Sequence, residues 1–281
     1  MISPVRTILL TSAALVGFAA NSLLTRGALG HGLLDAPTFT IVRVATGAIT
    51  LALLVRLRTA APAADGSWTS ALSLAGYFVA FTIAYTRIGA AIGALLLFGA
   101  VQVTMIGIGL ARGERPRRID WLGMALAACG LLVLTLPGAT SPHPVGAGLM
   151  VAAGVCWGLY SLAGRGSRDP LATTAGNFSR SLVLVLVALA ALLPQRHLTT
   201  NGLLLAAASG SLASGVGYTL WYAVLPALAA WRAALVQTVT PVLTILLAAV
   251  FLGEHVTGRL LIATALVTIG VAVTTHRPAR G

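Results

Sequence analysis

The sequence contains no lysine, only six carboxylates in 281 residues, two cysteines and 6% aromatic residues. All six acids (Asp35, Asp65, Glu114, Asp120, Asp169 and Glu254) fall at the ends of apolar runs or between them. A carboxylate inside an apolar span is the usual device for pairing with a cationic drug and exchanging it for protons. Its scarcity here argues against a multidrug antiporter, and Glu114 and Glu254 read as helix-end residues with structural partners. Cys129 and Cys156 lie in mid-run and read as small core residues, not as a disulfide or metal pair. His31, His143, His197, His255 and His276 lie in loops or at run ends, so none is placed to activate a buried serine such as Ser214. No phosphate-cradling Walker loop is present. These scarcities predict no enzyme, no metal site, no cofactor and no ATP-driven step.

What is abundant is apolar surface. The chain is 58% hydrophobic and 9% charged, with a mean hydropathy of +0.95. A soluble chain of this length would lack the polar residues to cover so much apolar area. Charge-poor windows long enough to cross a bilayer core of about 30 Å recur throughout. They lie near residues 7–26, 37–56, 68–87, 89–111, 119–137, 147–165, 173–194, 203–222, 231–252 and 259–275. The expected fold is an all-α integral membrane protein of ten transmembrane helices, surrounded by lipid and present as a monomer or homodimer.

The net charge of +12 is carried entirely by arginine, mostly at span ends, which indicates orientation rather than nucleic-acid binding. With the N-terminus inside, the inner side collects Arg6, Arg56, Arg58, Arg112, Arg115, Arg117, Arg118, Arg165, Arg168, Arg232, Arg277 and Arg280. The outer side keeps Arg26, Arg87, Arg196 and Arg259, and Arg43 and Arg180 fall within spans. This asymmetry follows the positive-inside rule and predicts two cytoplasmic termini in a bacterial-type inner membrane. Residues 1–20 imitate a signal peptide, but they head a repeated unit and are expected to remain as the first helix.

The repeat is legible by offset. At a shift of 140, Ile88–Ala91 falls under Leu228–Trp231, Leu95 under Leu235, Gly113–Glu114 under Gly253–Glu254 and Gly130 under Gly270. At a shift of 139, Ser22–Leu23–x–x–Arg26–Gly27 returns as Ser161–Leu162–x–x–Arg165–Gly166. Two units of five spans, residues 1–140 and 141–281 joined through the loop 137–144, insert with opposite orientation because five is odd. Inverted repeats of this kind place a substrate site where the two halves meet, near the bilayer midplane. The ninth span, from Trp231 to Glu254, carries Pro241 at its centre, where a membrane helix tolerates the kink. Close helix contacts are expected at Gly89/Gly93, Gly154/Gly158, Gly107/Gly109 and the Ser209–Gly217 run. Packing explains that run first and bending during gating second.

The two five-span units, the Gly–Glu after the fourth and ninth spans, the Pro241 helix and the Arg43-bearing second span resemble the EamA family of drug/metabolite transporters. The resemblance covers almost the whole chain. It implies export of a small metabolite through a central cavity lined by helices one, three, four, six, eight and nine. One departure is Val101, with Gln102 beside it, at the first-half position matching Pro241, where many family members carry a proline.

Tyr77, Phe81 and Tyr85 lie at i, i+4 and i+8 on the third span, and Tyr218 and Tyr222 stand four apart on the eighth. Tyr85, Trp221 and Tyr222 read as interfacial anchors. Tyr77, Phe81, Phe98, Trp157, Tyr160 and Tyr218 read as cavity lining. Asn21, Gln102 and Gln237 complete that lining, either as interhelical glue or as donor–acceptors for a zwitterion. Two readings stand for Arg43 and Arg180: bonding to helix-end carbonyls, or attraction of a substrate carboxylate near a cavity mouth. The pocket so described is neutral and amphipathic, suited to a small molecule with an apolar group, its ammonium lying over a tyrosine face. The function expected is export of neutral or aromatic amino acids by alternating access, through facilitated diffusion or proton antiport. The alternatives are a quaternary-ammonium exporter and a non-transporting scaffold or lipid-handling protein.

Overall fold

Side-chain caps start several of the helices. Ser3, Asp35, Ser67 and Thr199 each accept a hydrogen bond from the backbone N–H three residues on, filling one of the donors that a helix start leaves open. Pro4, Pro144 and Pro170 open their helices, where no N–H is needed. The computed structural model describes residues 3–57, 65–88, 90–135, 143–189, 198–252 and 258–275.

Among the described residues the architecture is all-α, with ten helices. These are α1 (Pro4–Gly30), α2 (Ala36–Arg56), α3 (Trp68–Tyr85), α4 (Ala90–Ala111) and α5 (Arg118–Thr135), then α6 (Pro144–Gly164) and α7 (Pro170–Leu189). The helix α8 runs over Thr200–Ala227 with a π-wound middle at Ser209–Val216. The ninth breaks into α9a (Ala230–Gln237) and α9b (Val239–Leu252), and α10 is Gly258–Thr275. Six of them (α1, α2, α3, α6, α7 and α8) are by themselves long and apolar enough to cross a membrane. The loop 137–142 and Gly253–Glu254 lie outside the described residues.

The break in the ninth helix follows from Pro241. Its ring excludes the carbonyl of Gln237, four residues earlier, and the chain turns at Thr238. The Thr238 hydroxyl takes up the Leu235 carbonyl at 2.5 Å.

The helices interlock in a definite pattern. α3 and α4 flank α6, while α8 and α9b flank α1; α2 lies on α7 and on the π-turn of α8, α3 lies on α7, and α5 lies along α10. Two loop staples accompany it. Before α3, Asp65 accepts from the Thr173 hydroxyl, Arg180 donates to the Asp65 carbonyl at 3.0 Å, and Ser67 N–H donates to Asn177 Oδ1 at 3.0 Å. Before α8, the Thr199 hydroxyl donates to the Leu33 carbonyl at 2.7 Å, beside an isolated bridge between Leu34 and Leu198.

Small residues govern the closest crossings. A β-carbon on Gly154 would stand 2.5 Å from the Leu97 carbonyl oxygen, so α6 meets α4 backbone to backbone. Gly107 meets nothing within 4 Å, against the expectation of a contact there, because it faces away from every neighbouring helix. The Ser209–Gly217 run both packs tightly and winds irregularly, so the π-turn is a built feature of α8 and not only a packing surface. Cys129 is exposed on the outside of the bundle and is not the core residue expected.

The α5–α10 contact is the easiest to test. A β-carbon on Gly123 would lie 2.6 Å from the Gly270 carbonyl oxygen, and overpacking of this kind costs about 1–3 kcal/mol. Gly123→Val should lower the thermal unfolding midpoint of the detergent-purified protein by several degrees. Gly148→Ala, where nothing lies within 4 Å, should not lower it. Equal midpoints for Gly123→Val and the parent chain would contradict this contact.

Candidate functional site

Seven aromatic rings meet in the middle of the bundle. Tyr77 lies 5.0 Å from Trp157 and 5.2 Å from Phe81, and Trp157 lies 4.7 Å from Tyr218, all between ring centroids. Phe18 of α1 touches Trp157 and Tyr218 edge-on, and Phe78 and Phe178 close the cluster beside Tyr218. Tilted and edge-to-face geometry of this sort suits the ring quadrupoles. Tyr77, Phe81, Trp157 and Tyr218, predicted from the sequence as lining, are thus brought together by α3, α6 and α8.

Arg43 stands at the centre of this apolar cluster, fully buried. Its Nε donates to Ser214 Oγ at 2.9 Å and its Nη2 to Tyr218 OH at 2.7 Å. The guanidinium carbon sits 4.6 Å from the Phe78 ring centroid and 5.9 Å from that of Tyr77. Nη1 finds no acceptor among the described residues. An arginine at a helix centre costs about 2.5–3.5 kcal/mol on insertion scales. Hydrogen bonds from a charged donor, worth about 1.5–3 kcal/mol each, and ring faces, worth up to about 2 kcal/mol when dry, offset that cost.

The π-turn makes this geometry possible. A β-carbon on Gly210 would fall 2.1 Å from the Arg43 carbonyl oxygen, and one on Gly47 would fall 2.9 Å from the Gly210 carbonyl oxygen. The α2 and α8 backbones therefore touch, and Ser214 and Tyr218, four apart, present their hydroxyls to one guanidinium.

A cavity of about 690 Å³ opens at one end of the bundle, lined by Ser22, Thr25, Arg26, Phe81, Tyr85 and Thr86 among others. Phe81 belongs both to this vestibule and to the aromatic cluster. The α3 stripe Tyr85–Phe81–Tyr77 therefore runs from the vestibule to the guanidinium, a path that the i, i+4, i+8 spacing already contained. Toward the opposite end, contacts among the described residues tie the helices together. Trp221 Nε1 donates to Ser161 Oγ at 3.1 Å, and Tyr222 OH donates to the Tyr160 carbonyl at 2.9 Å. Glu114 accepts from Ala230 N–H at 3.0 and 2.9 Å and pairs with Arg165 at 2.8 Å, capping α9a from the loop after α4.

Several sequence expectations change in this setting. Trp221 and Tyr222 are fully buried and are not interfacial anchors, because α8 continues past them to Ala227; Tyr85 lines the vestibule. Arg43 bonds neither helix-end carbonyls nor a cavity mouth: hydroxyls and ring faces hold it in the core. Arg180 donates to the Asp65 carbonyl, which belongs to the loop before α3 and not to a helix end, and lies 5.9 Å from the Trp68 ring. Phe98 and Gln102 are half-buried on α4, and among the described residues neither makes a ring contact or hydrogen bond to the cluster. Val101 and Met105 take the inward face of that helix instead. Tyr160 packs 4.7 Å from Tyr222 and 5.6 Å from Trp157, and its hydroxyl, like Asn177 Nδ2, is buried with no hydrogen-bond partner among the described residues.

The buried amides Asn21 and Gln237 bond across helices. Asn21 Oδ1 accepts from Ser209 Oγ at 2.6 Å; Gln237 Oε1 accepts from Trp157 Nε1 at 2.6 Å while its Nε2 donates to the Ala233 carbonyl. Sequence reading missed Phe18, Phe78, Phe178 and the role of Ser214. Only the Ser214–Tyr218 spacing carried any trace of it.

Residues 144–276 match the sequence profile of the EamA-like transporter family. The chain is 49% identical over 269 residues to PA1977, an uncharacterised protein of Pseudomonas aeruginosa, covering 95% of this chain and 94% of that one. It is 28% identical over 167 residues to YedA of Escherichia coli, described as an uncharacterised inner membrane transporter, covering 57% of this chain and 52% of the relative. A solved crystal structure superposes with a TM-score of 0.83 at 21% identity, covering 97% of this chain and 98% of the other, and so shares the fold.

The Trp157–Gln237 bond ties α6 to α9a across the site. Trp157→Phe keeps the ring packing but strands the Gln237 carbonyl, at a cost of about 1–3 kcal/mol. Combined with Gln237→Leu, the loss should fall short of the sum of the two single losses by at least about 0.5 kcal/mol in thermal or denaturant unfolding. Strict additivity would show that the bond contributes nothing.

Proposed function

Because this chain belongs to the EamA-like transporter family, we propose that it is an inner-membrane secondary transporter that exports small neutral or aromatic amino acids by alternating access. The single observation that carries the substrate class is the aromatic path Tyr85–Phe81–Tyr77 leading from the vestibule to Trp157, Tyr218 and Arg43. On this reading the rings take the side chain and Arg43 draws the carboxylate. Asn21 and Gln237 hold the surrounding helices in place. Phe98, Gln102 and Tyr160 belong to the second rank, and Arg180 keeps the loop before α3 docked.

The proposed scaffold is two inverted repeats, residues 1–140 and 141–281. Its support is the packing pattern, which maps onto itself when each helix is exchanged for the one five places on. The contacts of α3 and α4 with α6 exchange with those of α8 and α9b with α1, while α2–α7 and α5–α10 each exchange with themselves. The two loop staples exchange likewise. Arginine placement supports cytoplasmic termini, which puts the vestibule on the outer side. The exchange between states then opens the end sealed by Trp221, Tyr222 and Glu114 and closes the vestibule, with Pro241 and the π-turn as the places where helices bend. The protein works as a monomer or homodimer in contact with lipid.

Asp35, Asp120 and Asp169 sit at helix starts and accept local backbone N–H groups, while Asp65 and Glu114 lie in loops. That placement favours facilitated diffusion over proton antiport. Counterflow in proteoliposomes with labelled phenylalanine and leucine should show uptake that Trp157→Ala lowers at least tenfold. An imposed pH gradient should leave the final distribution unchanged. Uphill accumulation driven by the pH gradient would replace facilitated diffusion by antiport. Flux of a quaternary ammonium dye without amino acids would favour the drug exporter, and no flux of any solute would favour a scaffold or lipid-handling protein.

A further inference from the structure

We propose that the central site recognises an anionic group as such, with Arg43 as its receptor, and that an α-ammonium group on the substrate is dispensable. The ligand class is then the aromatic or apolar monocarboxylate, of which an amino acid is one case. This rests on the transport reading above and narrows it.

A guanidinium offers five donors in a planar fork matched to a carboxylate. Two of its nitrogens are taken by neutral hydroxyls, those of Ser214 and Tyr218, and Nη1 is buried with no acceptor among the described residues. Neither of those partners can neutralise the charge, and the described acids are spent at helix termini and in the loop before α3. The ring faces of Phe78 and Tyr77 soften the charge without cancelling it. A carboxylate arriving along the Tyr77–Phe81 path would supply both the missing acceptor and the missing negative charge.

Among the described residues the cluster offers an ammonium no anionic receptor. The two amide oxygens nearest in kind already accept, Asn21 Oδ1 from Ser209 and Gln237 Oε1 from Trp157. A cation brought to the cluster meets a fixed positive charge in a poorly screened interior. Ring faces alone would hold it against that repulsion.

The full-length protein in nanodiscs, in a chloride-free gluconate buffer, tests this by calorimetry and by ligand-induced thermal stabilisation. The probes are 3-phenylpropanoate, phenylalanine, phenethylamine, 3-phenylpropan-1-ol and propanoate. The parent protein should bind 3-phenylpropanoate at least as tightly as phenylalanine and should not bind phenethylamine. Arg43→Gln should weaken 3-phenylpropanoate at least tenfold and leave 3-phenylpropan-1-ol unchanged, which also reports that the variant is folded. Arg43→Lys, a charge without the fork, should fall between.

Tighter binding of phenethylamine than of 3-phenylpropanoate would overturn the proposal, as would full affinity in a folded Arg43→Gln variant or no binding of any anion. The comparison of acid with alcohol on the parent chain decides the matter even if both variants misfold. Chloride that stabilises the protein as strongly as 3-phenylpropanoate, with no flux of the carboxylate, would assign the site to a resident inorganic anion and sink the substrate claim. Propanoate binding as tightly as 3-phenylpropanoate would keep the anion receptor and remove the aromatic reading. Binding of 3-phenylpropan-1-ol equal to that of the acid would do the reverse.

Discussion

A buried guanidinium lies in the middle of a bundle whose described residues set no carboxylate against it. Much of the surrounding structure is the set of arrangements that makes this tolerable. Two hydroxyls must converge on it from one helix face, so α8 supplies Ser214 and Tyr218 four residues apart. That face must come close, so Gly47 and Gly210 let the α2 and α8 backbones touch where a single extra carbon would collide with the Arg43 carbonyl. Rings must stand over the remaining surface of the cation, and Phe78 and Tyr77 do so. The π-winding of α8 is part of the same solution, since irregular turns of this kind recur where a helix re-aims side chains at a functional site.

The rest of the bundle is unequal about this centre. On one side a vestibule reaches down to Phe81, and on the other three layers of contact join the helices: Trp221 with Ser161, Tyr222 with Tyr160, and Glu114 with Arg165 and the start of α9a. These contacts differ in kind. The inner two layers are aromatic and buried, whereas the Glu114–Arg165 pair is partly exposed and contributes little as a charge pair alone, its stronger effect being the cap on Ala230 N–H. In the proposed cycle a sealed end of this make-up opens by exchanging hydrogen bonds, without extracting a buried ion pair. The substrate drives that exchange only through its different affinity for the two states.

How much of this was legible depended on range. The spans, the Pro241 break and the stripe Tyr77–Phe81–Tyr85 repeat at helical spacing, so one strand of text contains them. The helix-end character of Glu114 was likewise readable from its place after an apolar run. The partners were not: Trp157 finding Gln237, or Arg43 finding Ser214, joins residues 80 and 171 positions apart, which no local pattern encodes. Trp221 and Tyr222 read as interfacial anchors because the eighth span was taken to end near residue 222, whereas the helix runs to Ala227. Phe98 read as lining because the fourth helix lines the cavity in the family the chain resembles, and Gln102 as a mid-span amide, but the rotation of α4 turned Val101 and Met105 inward.

Hydropathy, arginine placement and internal similarity are properties of the chain alone, because the bilayer imposes span length and backbone pairing on any apolar sequence. They determined that this is an all-α membrane protein and pointed to its family. Which polar groups end up buried together is a property of helix rotation and approach, decided by where glycine lets backbones meet. Only the tertiary structure could therefore turn two unremarkable hydroxyls, a ring stripe and a mid-span arginine into one site.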